Sequence, residues 1–237
     1  MRRADEDRWL AARFAPARAR AHLNALCALN YEIARTAESV TQAPLGDIRL
    51  AWWREAIDEI YAGKTPRAHP TVQAFAAAVT EAGPPREPIE ALIAARAADL
   101  EPAPFATWAD LERYVDATAG GVIRVALALC GGANEAFAAS AGKAWGYAGL
   151  VRVAPFWKAR GRVLAPRDAD AARIESDLRA RAQVALAEAR AMAPKLPDTL
   201  FPAYGYVALV SSYLRRAQRP LLLRQLTLIA AAATGRL

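Results

Sequence analysis

Proline and glycine divide this chain at intervals close to the length of one helix. Pro16, Pro44 with Gly46, Gly63 with Pro66, Pro70, Gly83-Pro84-Pro85, Pro102 with Pro104, Gly131-Gly132, Pro166, Pro194 and Pro220 leave uninterrupted apolar-patterned stretches between them. Proline lacks an amide hydrogen and glycine carries the most backbone freedom, so both end regular structure. Inside the stretches apolar residues recur three and four apart, as in Leu23, Leu26, Leu29 and Ile33. About a quarter of the 237 residues are alanine, the strongest helix former, and β-branched runs are scarce. The pattern predicts an all-α fold and excludes a sandwich or barrel. With no repeat and no low-complexity linker, residues 1–237 read as a single domain.

A long helix is expected from Pro16. A loop over Ala43-Pro44-Leu45-Gly46 leads into a helix at Asp47–Tyr61, followed by helices at Thr71–Ala82 and Glu87–Leu100. Thr107-x-x-Asp110 has the form of a capping box and opens a helix that runs to Cys130. Gly120-Gly121 in that helix costs roughly 1 kcal/mol per glycine against alanine, which signals a close backbone approach. Ala133–Trp157 is rich in small residues, apolar on most faces and expected at the centre. Asp168 is expected to cap the next helix, up to Pro194, and helices at Thr199–Gln218 and Pro220–Ala233 close the chain.

Two cysteines and two histidines exclude a disulfide scaffold, a zinc ribbon and a multi-histidine metal centre, and leave Cys27 and Cys130 as small buried hydrophobes. The net charge of +7 is unevenly placed: residues 151–237 hold 15 basic and 6 acidic groups, residues 1–150 hold 16 and 18. The basic groups cluster at Arg152, Lys158, Arg160, Arg162 and Arg167, and at Arg215, Arg216, Arg219 and Arg224. Such clusters attract phosphate, lipid headgroups included. No aromatic–basic recognition module accompanies them, so nucleic acid is not an expected partner. No apolar segment follows the polar Met1–Asp7 as in a signal peptide, and the uncharged Thr199–Leu214 is too short to span a bilayer. A cytoplasmic protein, at most peripheral at the inner membrane, is expected.

The helix Asp47-Ile-Arg-Leu-Ala-Trp-Trp-Arg-Glu-Ala-Ile-Asp-Glu-Ile-Tyr-Ala-Gly63 is more distinctive. With His69-Pro70, Tyr114-x-x-x-x-Ala119-Gly120-x-Val122 and Gly161-Arg162-Val163-Leu164-Ala165-Pro166 following in order, it resembles the squalene/phytoene synthase family over roughly residues 8–200. The resemblance implies one isoprenoid-synthase-like bundle of antiparallel helices around a central cavity. The family's enzymes condense prenyl diphosphates, using Mg²⁺ held between two aspartate-rich helical segments to neutralise the leaving diphosphate. Carboxylates three or four apart share one helix face, so two such helices can clamp a metal cluster.

This chain lacks those carboxylates. The first segment falls on Ala34-Arg35-Thr36-Ala37-Glu38, where Glu38 is the one acid and Arg35 stands in place of an aspartate. Glu32 is about 600° of helical rotation from Glu38 and is expected to face elsewhere. The second segment falls on Ala144–Val153, with Val153 in an aspartate position and Gly146 and Gly149 in place of amides; from Ala136 to Arg167 there is no acid. The expectation is therefore no catalytic residue, no metal site and no cofactor, against the alternative of a Mg²⁺-dependent prenyl transferase with relocated acids. By the same resemblance Arg152 and Arg162 are remnant diphosphate- or anion-binding residues. Trp52, Trp53, Tyr114 and Tyr147 are the candidates to line the cavity.

Leu29-Asn30-Tyr31-Glu32-Ile33-Ala34 is similar to a divergent branch of the family with degenerate metal motifs, which includes a mitochondrial complex I assembly factor. That likeness implies a pseudoenzyme acting as a membrane-proximal assembly or binding factor. Its expected partners are an anionic membrane surface or an acidic protein, a respiratory complex I subunit among them, with an isoprenoid or lipid ligand or carrier role as a further alternative. Several other groups read structurally: Asp5-Glu6-Asp7 as acids at a helix N-terminus, Glu55 and Glu59 as a solvated face paired with Arg54, His69 as a loop or capping residue, and Asp99 as a lone carboxylate.

Overall fold

Pro16 holds an extended backbone one residue before α2 (Ala17–Ala34), whose Leu23, Leu26, Leu29 and Ile33 form one buried stripe. The computed structural model describes residues 5–40, 42–163, 165–215 and 220–237. The remaining α-helices are α1 (Glu6–Ala12), α3 (Ala43–Tyr61), α4 (Pro70–Ala82), α5 (Glu87–Ala95), α6 (Trp108–Val115), α7 (Gly121–Leu129), α8 (Glu135–Lys158), α9 (Ile174–Met192), α10 (Phe201–Tyr204), α11 (Val210–Leu214) and α12 (Leu221–Thr234). Among the described residues there is no strand. One continuous core joins the helices, running from Leu10 and Ala11 of α1 to Leu228 and Ala231 of α12.

α8 is the central helix, packed along α9 on one side and on α6, α7 and the turn between them on the other. That turn, Asp116–Gly120, is a single π-helical turn inside an otherwise continuous helix. It explains the glycine pair. A Cβ on Gly142 of α8 would lie 2.4 Å from the Gly120 Cα, and one on Gly121 would lie 3.1 Å from the Pro88 carbonyl oxygen. Two backbones therefore touch where side chains would hold them apart.

The Thr107 cap forms as expected: the Thr107 hydroxyl accepts from the Asp110 amide at 3.3 Å and the Asp110 carboxylate accepts from the Thr107 amide at 2.9 Å. Three boundaries differ. α3 starts at Ala43 rather than Asp47, because Pro44 occupies the first turn, where its missing donor costs nothing. Asp168 caps no helix; Asp170 instead closes a local turn on the Ala172 amide at 2.9 Å, and α9 begins at Ile174. The run after Thr199 is a chain of short α- and 3₁₀-helical pieces, with Pro202 in the first turn of α10 and a change of helix type at Gly205, and ends at Leu214. Leu164, Arg216 and Arg219 lie outside the described residues.

Candidate functional site

A pocket of about 250 Å³ lies between α2, α6, the π-turn and α8, and both degenerate segments meet there. Asn30, Ala34 and Glu38 line it from α2 and the 3₁₀ turn Arg35–Glu38 that extends it. Gly146, Gly149, Val153 and Trp157, spaced three or four apart, line it from α8. Glu32 points away, as the helical rotation requires, and sits 3.7 Å from Arg35 in a separate surface groove.

Two guanidinium groups face the space that a metal clamp would need. Arg8, from α1, is 9% exposed, pairs with Asp5 at 2.6 Å, and lies 5.5 Å from the Trp145 ring centroid and 4.9 Å from that of Tyr206. Burial alone would lower its pKa, but Tyr206 and Asp5 beside it more than compensate, so it stays cationic. Arg96 enters from the turn after α5. Its Nη1 donates to Asp99 at 3.0 Å and to the Tyr114 hydroxyl at 2.8 Å, while that hydroxyl donates to the second Asp99 oxygen at 2.7 Å. Asp99 is thus not a lone carboxylate but the acceptor of a closed buried triangle. Burial foremost raises the Tyr114 pKa, keeping the phenol protonated as the donor.

These residues do not fit a magnesium cluster. Magnesium needs a near-octahedral shell of hard oxygen donors. The pocket offers Glu38 and an Asp99 already committed to Arg96 and Tyr114, with a second cation facing the same space. Among the described residues no three His, Cys, Asp or Glu side chains gather as a metal-binding group.

The other sequence candidates scatter. Tyr114 lines the pocket, but Trp52 and Trp53 do not. α3 packs mainly on α4, α5 and neighbouring 3₁₀ turns, so the two tryptophans stack edge-on with His69 at the floor of a groove of about 480 Å³ on that side. His69 precedes α4 without capping it through its side chain. Tyr147 also faces elsewhere. It follows Lys143 by four residues on the α9-facing side of α8, beside Glu112 and Arg181, and burial pushes its pKa up to about 12. Arg152 lies 4.0 Å over the Tyr213 ring and 3.9 Å from Asp7 in a mixed-charge groove of about 810 Å³. Arg162 donates to the Asp99 carbonyl and lies over Trp157, and does not line the pocket.

Two further readings change. Glu55 and Glu59 are held by Arg67 from the loop after α3, at 2.9 and 2.8 Å, not by Arg54. The Asp5-Glu6-Asp7 cluster does more than complement a helix dipole. Asp5 caps α1, while buried Asp7 accepts from the Tyr213 hydroxyl and from Arg224 at 2.6 Å, tying the first helix to the last. Cys27 is buried and Cys130 half-buried; burial pushes the thiols up to about 12 and about 11, Asp5 adding to the first.

A bundle with two facing degenerate segments invites comparison with known proteins, and the sequence profile of squalene/phytoene synthase matches residues 1–175. The chain belongs to the squalene/phytoene synthase family. Within it, NADH dehydrogenase (ubiquinone) complex I, assembly factor 6 of Mus musculus is 23% identical over 240 residues, covering 92% of this chain and 72% of that protein. The squalene synthase HpnC of Alicyclobacillus acidocaldarius superposes with a TM-score of 0.73 at 20% identity, over 99% of this chain and 90% of that one. A dehydrosqualene synthase solved with a ligand gives 0.75 at 15% identity, over 98% and 92%. At those identities the solved structures establish the fold, an isoprenoid-synthase-like bundle, and nothing about chemistry. Arg8 and Arg67 carried no motif in the sequence; only the tertiary position of α1 and of the loop after α3 gives them their roles.

Proposed function

We propose that this protein is a non-catalytic member of its family, working without a metal cofactor as a membrane-proximal assembly or binding factor in the manner of complex I assembly factor 6. The observation that carries the reading is the pocket itself. Where two acidic segments would clamp magnesium, the chain has Ala34, Gly146, Gly149 and Val153 with Glu38 as the one acid, and the Arg8 and Arg96 guanidiniums face the same space. A fixed cation disfavours a second one nearby, and of the two carboxylates that line the pocket Asp99 is already paired with Arg96, which leaves Glu38 to hold a metal alone. The likeness to the assembly factor across 92% of the chain supports the same reading. An acidic surface on a complex I subunit, or an anionic lipid surface, suits the basic last third.

Deleting the gene in its own host is expected to lower assembled complex I and its membrane NADH dehydrogenase activity while leaving squalene-type lipids unchanged. Unchanged complex I together with a lost isoprenoid would overturn the proposal.

A further inference from the structure

α12 is apolar on its outward face as well as on the face that packs on the core. On an ordinary surface helix the apolar stripe faces the core and the charges face water. Here the helix's one charged residue, Arg224, turns inward to Glu6 and Asp7, beside Leu228 and Ala231 in the core. Outward stand Leu222, Leu223, Leu226 and Ile229, with exposures of 64, 46, 51 and 53%. Leu222, Leu226, Ile229 and Ala233 fall on a single stripe at helical spacing, and no charged residue interrupts it. A contiguous apolar face of this kind marks an interaction surface rather than scattered exposure.

The charge around it indicates what covers it. Residues 199–237 contain no acid and, besides the inward-turned Arg224, four arginines. Arg215 before the helix and Arg236 after it are both exposed. A second copy seated on this face would bring two surfaces of the same sign together, so self-association is disfavoured. A plane of anionic headgroups satisfies both features, taking the leucine stripe into the acyl boundary and pairing the flanking arginines with phosphate. The helix has 14 residues and is about 21 Å long, and no described helix is long and apolar enough to cross a membrane. The geometry is that of a helix lying in the interface.

We propose that the outward face of α12 is the element that docks this protein on an anionic lipid surface. The inference rests on the membrane-proximal part of the reading above. A vesicle assay reads docking alone, whereas the gene deletion reads assembly, so the two fail separately. The test is flotation of the purified full chain with phosphatidylcholine vesicles, with and without phosphatidylglycerol. Binding is expected to the anionic vesicles, to weaken with added salt, and to fall roughly tenfold or more in a variant carrying Leu222→Ser, Leu226→Ser and Ile229→Ser. That variant should keep the wild-type melting curve, because these side chains point out of the core. A nitrobenzoxadiazole label on Leu226→Cys should shift to the blue on vesicle addition, while one on Val184→Cys of α9 should not. Three outcomes overturn the proposal: undiminished vesicle binding by the serine variant, equal blue shifts at both labels, or no vesicle binding together with self-association or capture of an acidic protein that the serine variant abolishes.

Discussion

Asp99→Ala is expected to destabilise the protein by about 3–5 kcal/mol, the cost of removing one partner from a buried ion pair. The Asp99 side chain accepts from both Arg96 and Tyr114, and the pair is shielded, at 17 and 4% side-chain exposure for Arg96 and Asp99. Truncation leaves the Arg96 charge buried with only the Tyr114 hydroxyl to accept from it. For a chain of this size that corresponds to a melting temperature lower by about 10 °C. Arg96→Met combined with Asp99→Leu should cost less than the single change, because no charge is stranded; thermal unfolding followed by circular dichroism measures both. A double variant less stable than Asp99→Ala alone would show that the triangle matters for its shape rather than its charge balance.

The second large effect is expected on α8. Gly142→Ala places a Cβ 2.4 Å from the Gly120 Cα and 2.6 Å from its nitrogen, and backbone cannot rotate aside as a side chain can. A loss of about 3 kcal/mol is expected, at the upper end of overpacking costs. Gly149, two turns further along the same helix, has nothing within 4 Å of its ideal Cβ. Gly149→Ala should therefore raise stability by about 0.5–1 kcal/mol through helix propensity alone. The opposite signs, read from two melting curves, separate close helix packing from a general intolerance of α8 to substitution.

The fold was legible where local chemistry decides it. Thr107 and Asp110 cap a helix through their own side chains, Pro220 starts the last helix, and Gly120-Gly121 signalled an approach that Gly142 completes. Pro44 misled because a proline reads as a loop until the following residues are known to be helical, and position within the first turn reverses its meaning. Asp168 misled because Asp170, two residues on, had an equal claim to a turn, and the helix starts only at Ile174.

The pocket was legible in part, for a physical reason. The missing carboxylates can be read from two segments once their family register is recognised, and those segments do line one cavity. What fills the vacated electrostatic role cannot be read that way. Arg8 lies in a short helix remote in sequence from both segments, and only the packing of α1 against α2 and α10 brings it between Trp145 and Tyr206. Trp52, Trp53 and Tyr147 have the size and polarity of cavity-lining residues, but which side of a helix faces the pocket is set by its neighbours. For α3 and for the Lys143–Tyr147 stripe, that side faces away.

The most direct measurement is release of inorganic diphosphate from farnesyl or geranylgeranyl diphosphate by the purified chain in the presence of Mg²⁺. With Arg8 and Arg96 facing the pocket and no clamp of carboxylates across it, release should not exceed that of a protein-free control. Release at an enzyme-like rate that depends on Mg²⁺ would contradict the account.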